Sequence, residues 1–188
     1  EVATGCAGPI FTLTIGNGSL PVLDMLESII VYGYTPAFSC FGLVALQSLT
    51  FPNGTPTINV AQDFFSGCAS LQYAPMMNFS GTIANSSGMF SECKNLKYVP
   101  EYNTANVSNV YSMFSGCRSL KTIPKLNMAN VTQLASTFAN CLSLTTLPLL
   151  NTINVANIDN TFQDCRNLTT LPSLNLSNVT SSQSTFLR

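Results

Sequence analysis

The side chains in this sequence with the most chemistry to offer are its seven cysteines, and five of them recur at regular steps. Cys68, Cys93, Cys117, Cys141 and Cys165 are separated by 25, 24, 24 and 24 residues. Zinc sites use cysteine pairs about two to four residues apart, and the sequence contains no such pair. Thiols one repeat apart on stacked helices would sit at an interhelical spacing of about 8 to 10 Å, beyond disulfide reach. The periodic cysteines therefore read as small buried apolar residues rather than ligands or nucleophiles. Cys6 and Cys40 stand outside the series. An oxidising compartment would permit a disulfide between them, but spacing does not decide whether one forms.

Other chemistries are set aside in turn. The chain has no histidine, which removes Ser-His-Asp and Cys-His nucleophile systems and the common zinc-hydrolase motifs. Glu92, Glu101, Asp159 and Asp164 occupy variable, exposed columns with no apolar pocket implied around them, so no glycosidase-type carboxylate pair is expected. The stretch GNGSLP at residues 16–21 lacks the lysine and helix of a phosphate loop and reads as a turn. No catalytic residue, metal ligand or cofactor is expected, and the chain reads as a non-enzyme.

The elements that must position these residues follow from the same period. Phe65, Phe90, Phe114, Phe138, Phe162 and Phe186 keep step with the cysteines, as do Leu71, Leu96, Leu120, Leu144 and Leu168. A proline column (Pro75, Pro100, Pro124, Pro148, Pro172) completes the apolar frame. Leu120, Ile123, Leu126 and Met128 have the spacing of an extended segment entering a core, with Pro124 at a bend, so a strand is predicted there. Val131, Leu134, Phe138 and Cys141 recur at three- and four-residue steps, which predicts a short helix, and Val155, Ile158, Phe162 and Cys165 repeat it. Asn106, Asn130, Asn154 and Asn178 form one asparagine column, of which Asn130 and Asn154 directly precede these stretches and read as N-caps. A second column (Asn78, Asn103, Asn127, Asn151, Asn175) lies where the chain leaves the strand and is expected to form a buried asparagine ladder. Nine Asn-x-[Ser/Thr] sequons occur, including those at Asn106, Asn130 and Asn178, where capping explains the asparagine without a glycan.

One coil cannot bury its own apolar edge, so the coils must stack. The reading is an α/β solenoid: a leucine-rich-repeat right-handed superhelix, parallel sheet on one face, short helices on the other. Residues 58–188 form about five 24-residue coils cut in mid-repeat. The polypeptide is expected to continue beyond Arg188, or a partner to cover the open coil. Residues 1–57 form an N-terminal cap or degenerate repeat region, with a strand at residues 10–15, a turn at 16–19, and Leu46, Leu49, Phe51 and Pro52 resembling an imperfect coil. The chain opens with Glu1 and shows no basic-then-apolar leader, so it reads as a processed product or internal fragment.

The recurring Phe-x-x-Cys-x-x-Leu-x-x-[Leu/Ile/Val]-Pro-x-[Leu/Tyr]-Asn, followed by Asn-Val-[Ser/Thr], resembles the BspA-like leucine-rich-repeat surface proteins. MFSGCRSLKTIPKLNMANVTQL carries the resemblance most clearly, and it extends over residues 61–188. The resemblance implies a right-handed solenoid displayed outside bacteria, some protists or their phages, with adhesion and partner binding as its usual roles.

Composition narrows the setting. Apolar residues make up 46% of the 188-residue chain, ample for a core, and charged residues only 8%, against about 25% in an ordinary soluble domain. Polar but nearly uncharged surfaces suit an extracellular, cell-surface or virion-exterior location. Seven basic residues, all after residue 93, are too few for a phosphate-tracking stripe, so no nucleic-acid partner is expected. No apolar run of about 18 residues would span a membrane. The columns that the core does not dictate form the candidate partner-binding face: Gln72, Lys97 and Lys121; Tyr73 and Tyr98; Met76, Glu101 and Lys125. Its expected partner is a protein or glycan on a host or neighbouring surface. The competing readings are that the tyrosines simply pack over adjacent coils, or that the solenoid is a rigid spacer in a phage tail or capsid decoration.

Overall fold

The computed structural model describes residues 27–31 and 39–187, and every statement of structure below concerns those residues. They form a solenoid whose coils stack along one axis. Four short strands occur, in two parallel pairs: β1 (Ser28–Ile30) with β2 (Ser48–Thr50), and β3 (Thr57–Ile58) with β4 (Asn78–Phe79). Further along, parallel pairing continues as single bridges from Asn85 through Asn109, Gln133 and Asn157 to Ser181, one per coil.

The apolar columns meet in one continuous core. Phe65, Phe90, Phe114, Phe138, Phe162 and Phe186 form a stack with ring centroids 5.4–5.9 Å apart and nearly parallel planes. That separation is close to the strand spacing of about 4.8 Å and far below a helix–helix spacing. Coils stacked this closely do not hold the periodic cysteines apart at the helix–helix spacing expected of them, so distance does not exclude disulfides between them. The thiols are nonetheless free and buried, as is that of Cys40, whereas Cys6 lies outside the described residues. So do residues 10–19, where a strand and turn are expected.

The predicted helices are replaced by consecutive turns, and no helix is present among the described residues. The physical cause is two left-handed residues in each coil. One column is Asp63, Gly88, Ser112, Ser136, Asn160 and Ser184, and the other is Gly67, Glu92, Gly116, Asn140 and Asp164, all at positive φ. A left-handed residue every four positions interrupts the run of right-handed residues that a helix needs. The amides of Leu134, Ser136, Phe138 and Asn140 then point along the axis and donate to Asn157, Asp159, Thr161 and Gln163 of the next coil. The intervening amides of Thr137, Ala139 and Cys141 close local turns onto carbonyls three residues back. Every second donor thus builds the stack, while the apolar three- and four-residue steps still place Leu134, Phe138 and Cys141 inside.

Buried polar side chains complete this network. Sγ of Cys93, Cys117, Cys141 and Cys165 donates to the carbonyls of Phe65, Phe90, Phe114 and Phe138 in the preceding coil, at 3.0–3.1 Å. Thr137 and Thr161 Oγ1 likewise reach Val110 and Leu134 one coil back. The cysteine is therefore both small filler and inter-coil donor, a role its apolar reading omits.

The two asparagine columns exchange the roles expected of them. Asn130 and Asn154 do not cap helices: their Nδ2 atoms donate to Ala105 and Ala129 of the preceding coil, both at 2.7 Å, and Asn106 and Asn178 do the same to Gly81 and Ile153. This is the inter-coil asparagine ladder. The column of Asn78, Asn103, Asn127, Asn151 and Asn175 is exposed, not buried. The predicted strand over 120–128 is likewise absent, since residues 122–127 make no backbone-to-backbone bond to a neighbouring coil. At the N-terminal side, residues 39–49 already stack as a coil, with the amides of Cys40 and Gly42 donating to Phe64 and Ser66 and with Leu43 and Leu46 buried.

Candidate recognition face and its groove

Of the eight residues expected to meet a partner, the structure pairs Tyr73 with Tyr98 and Gln72 with Lys97 across adjacent coils and places Glu101 and Lys125 together in one groove. Tyr73, Met76 and Tyr98 are exposed by 60%, 54% and 57%. Lys97, Glu101, Lys121 and Lys125 are exposed and Gln72 half-buried. Tyr73 and Tyr98 lie side by side through a parallel bridge, and Lys97 Nζ donates to Gln72 Oε1 at 2.8 Å. These contacts fix the register of the first two coils without hiding either phenol ring.

Next to this face runs an open groove of about 990 Å³ crossing several coils. It takes in Glu101 and Lys125 from the predicted set, but Tyr73, Met76 and Tyr98 stand outside it. Its lining includes Tyr102, Leu126 and Leu150, which are buried, and Leu149, which is 71% exposed. Tyr102 is held by its hydroxyl, which donates to the Pro75 carbonyl at 2.8 Å, and burial pushes its phenol well above the ordinary tyrosine range.

Asn103, Asn127, Asn151 and Asn175 also line the groove. Each Oδ1 accepts the amide two residues on, from Ala105, Ala129, Ile153 and Ser177 respectively, at 3.0–3.3 Å. Such a turn fixes the carboxamide. Sequence reasoning found this column but placed it in the core. The signal that would have exposed it at Asn127 and Asn175 is the apolar residue on each side, as in Leu126-Asn127-Met128, where an extended chain sends the middle side chain outward.

Elsewhere the electrostatics are quiet. Burial pushes the thiols of Cys93, Cys117 and Cys141 well above the ordinary range, Cys68 to about 12 and Cys165 to about 11. Asp159 is held below its ordinary value because Ser181 Oγ and the Gln183 amide donate to its carboxylate. The ion pairs seen are exposed ones, Lys94–Glu92 at 3.6 Å and Arg166–Asp164 at 3.0 Å. No group of three or more metal-ligating side chains assembles among the described residues. Nor does any helix there have the length and apolarity to cross a membrane.

The comparisons place this architecture. A family model described as "Mycoplasma protein of unknown function, DUF285" matches residues 58–188, and the chain belongs to that family. No curated protein matches it. Among solved structures it is similar to the leucine-rich-repeat protein TpLRR of T. pallidum, at 23% identity and a TM-score of 0.51. The alignment covers 80% of this chain and 64% of that one. A leucine-rich cell surface protein from Faecalibacterium prausnitzii aligns at 19% identity and a TM-score of 0.48, covering 79% of this chain and 48% of that one. The fold is that of a leucine-rich-repeat protein, and this chain spans less than two thirds of the length of either relative.

Proposed function

We propose that this chain is a non-enzymatic recognition or adhesion module, displayed on an exterior surface and holding a protein or glycan partner across the face of Gln72, Tyr73, Met76, Lys97, Tyr98, Glu101, Lys121 and Lys125. The observation that carries the reading is that Tyr73 and Tyr98 pair across adjacent coils while both rings stay more than half exposed, with Met76 exposed three residues beyond Tyr73. Tyrosine and methionine bring large contact area at low ordering cost, and isolated exposed apolar groups gain meaning when they align. The scarcity of charge and the likeness of the repeat to BspA-like surface proteins support an exterior setting.

The test is direct binding of the purified, fluorescently labelled chain to intact bacterial and animal cells. Saturable binding that falls at least tenfold in the Tyr73→Ala/Tyr98→Ala double variant is expected. Both rings are more than half exposed, so the variant should melt at the same temperature as the parent. Absence of saturable binding to either cell type, or binding indifferent to both substitutions, would refute the proposal.

A further inference from the structure

The basic residues gather in two adjacent coils, and the inference drawn from them narrows the reading just given and rests on it. We infer that Lys94, Lys97, Arg118 and Lys121 form a binding site for a polysaccharide bearing closely spaced sulfate or phosphate esters, with Tyr98 and Tyr73 beside them to receive its sugar rings.

Charge is scarce in this chain, at 8% of its residues, yet five of its seven basic residues fall between Lys94 and Lys125. Lys94 and Arg118 each follow a column cysteine by one residue, and Lys97 and Lys121 by four, so each pair occupies one position in adjacent coils. The Ser119 amide donates to the Lys94 carbonyl and fixes that register. Three residues of chain span at most about 11 Å and parallel coils lie about 5 Å apart, which sets four exposed cations at the corners of a small patch. The same columns are uncharged in the coil before, as Ala69 and Gln72, and in the coil after, as Leu142 and Thr145. The fold therefore requires no cation here, and like charges at directly opposed positions destabilise a stack. Glu92 offsets one of them through its 3.6 Å ion pair with Lys94. Lys97, Arg118 and Lys121 are in no ion pair among the described residues, Lys97 donating instead to the neutral Gln72. Uncompensated cations this close together suit a ligand that brings its anions equally close.

The surroundings choose among polyanions. The planar guanidinium of Arg118 matches two oxygens of one sulfate or phosphate group, and the lysines act as point charges around it. Tyr98 directly follows Lys97 and pairs with Tyr73 one coil back, both rings more than half exposed. A tyrosine offers an apolar body with a polar tip, which matches the carbon face and hydroxyl rim of a sugar ring. An acidic peptide would gain most by adding a strand to a free edge, but the amides of Asn95, Lys97, Ser119, Ser143 and Thr145 already donate to neighbouring coils. A nucleic-acid strand would need cations interleaved with rings over about four or more nucleotides, whereas the paired cations here stop after two coils.

The experiment is calorimetric titration of the full chain with heparin and with teichoic acid, against hyaluronan, poly-L-glutamate and single-stranded DNA as comparisons. Heparin or teichoic acid should bind, and the one that binds more tightly decides between sulfate and phosphate. Its affinity should fall about a hundredfold as sodium chloride rises from roughly 0.05 to 0.5 M, because bound counterions are released. Hyaluronan, whose charges are sparse carboxylates, should bind about tenfold more weakly or less. Arg118→Gln should weaken binding about fivefold or more, whereas Arg166→Gln, the same change in the same column two coils away, should not. The triple variant Lys97→Gln/Arg118→Gln/Lys121→Gln should lose about thirtyfold or more with circular dichroism and melting unchanged, since all three side chains are exposed. Absence of binding by heparin and teichoic acid alike, equal affinity for hyaluronan, equal loss in the two arginine variants, full affinity in the triple variant, or tighter binding of poly-L-glutamate or DNA would each overturn the inference. The two proposals fail separately. Saturable cell binding that survives the triple substitution removes the polyanion site and leaves the tyrosine face standing. Polyanion binding lost in the triple variant, without any saturable cell binding by the parent, does the reverse.

Discussion

At the scale of single residues, the cysteine column shows how much one atom contributes. Each thiol fills a small space in the core and donates to a phenylalanine carbonyl one coil back. Cys117→Ala should cost about 1–2 kcal/mol, the sum of a lost hydrogen bond and a small void, measured by urea unfolding. Because burial holds the thiols protonated, Cys93, Cys117 and Cys141 should resist iodoacetamide at neutral pH in the native state and react fully once the chain is denatured. The same shifts set an alkaline limit. The unfolded thiol loses its proton near its ordinary value of 9.0, whereas Cys68 in the folded chain holds its own to about 12. Stability from this source is complete below pH 9.0 and lost as pH rises toward about 12, so the urea midpoint should fall across that window. Asp159 runs the other way. Its carboxylate, held by Ser181 and Gln183, should titrate below its ordinary 3.8 in a carbon-13 NMR experiment and move upward in Ser181→Ala.

At the scale of elements, the left-handed positions decide what each coil becomes. Ser136 sits at φ 56° and Asn140 at φ 59°, and a β-branched side chain is poorly tolerated there. Ser136→Val should destabilise by about 1–2 kcal/mol, lowering the melting temperature by roughly 2–8 °C, while Ser136→Gly should be neutral or better. Equal melting of the valine and glycine variants would remove the explanation offered for the missing helices. That explanation also shows what was readable locally. Apart from Glu92, glycine, serine, asparagine and aspartate fill both columns (Gly67, Ser112, Gly116, Asn140, Asn160, Asp164), and these four are poor in helix interiors. The apolar period of three to four residues gave the correct inward faces but could not separate a helix from consecutive turns, since both return a side chain to the core at that step.

At the scale of the whole molecule, the solenoid is a one-dimensional object in which each coil meets only its neighbours. Phe114 stacks on Phe90 at 5.7 Å and on Phe138 at 5.9 Å, so Phe114→Ala opens the core of three coils at once. The expected cost is about 3–5 kcal/mol, with unfolding split into two transitions by circular dichroism as the halves uncouple. A loss under about 1 kcal/mol would contradict a continuous stack. Salt should matter little, because charged residues make up 8% of the chain and the ion pairs seen are exposed. The melting temperature is expected to hold within about 2 °C as sodium chloride rises from roughly 0.05 to 0.5 M.

The sequence by itself determined the period, and through it the core: Phe, Cys and Leu at equal steps of about 24 residues must fall beneath their copies once neighbouring coils stack. It also placed Tyr73, Tyr98 and the lysines outside, because nothing in the repeat draws them in. Only the tertiary structure decided who bonds to whom. Asn130 serves Ala105 rather than its own next turn, Cys117 serves Phe90, and Asn127 stands in a groove, not a core. The reason is distance along the chain. Each of those hydrogen bonds joins groups 25 or 27 residues apart, so local spacing carries no trace of the partner. The backbone's choice between its own turn and the next coil is settled only when that coil arrives.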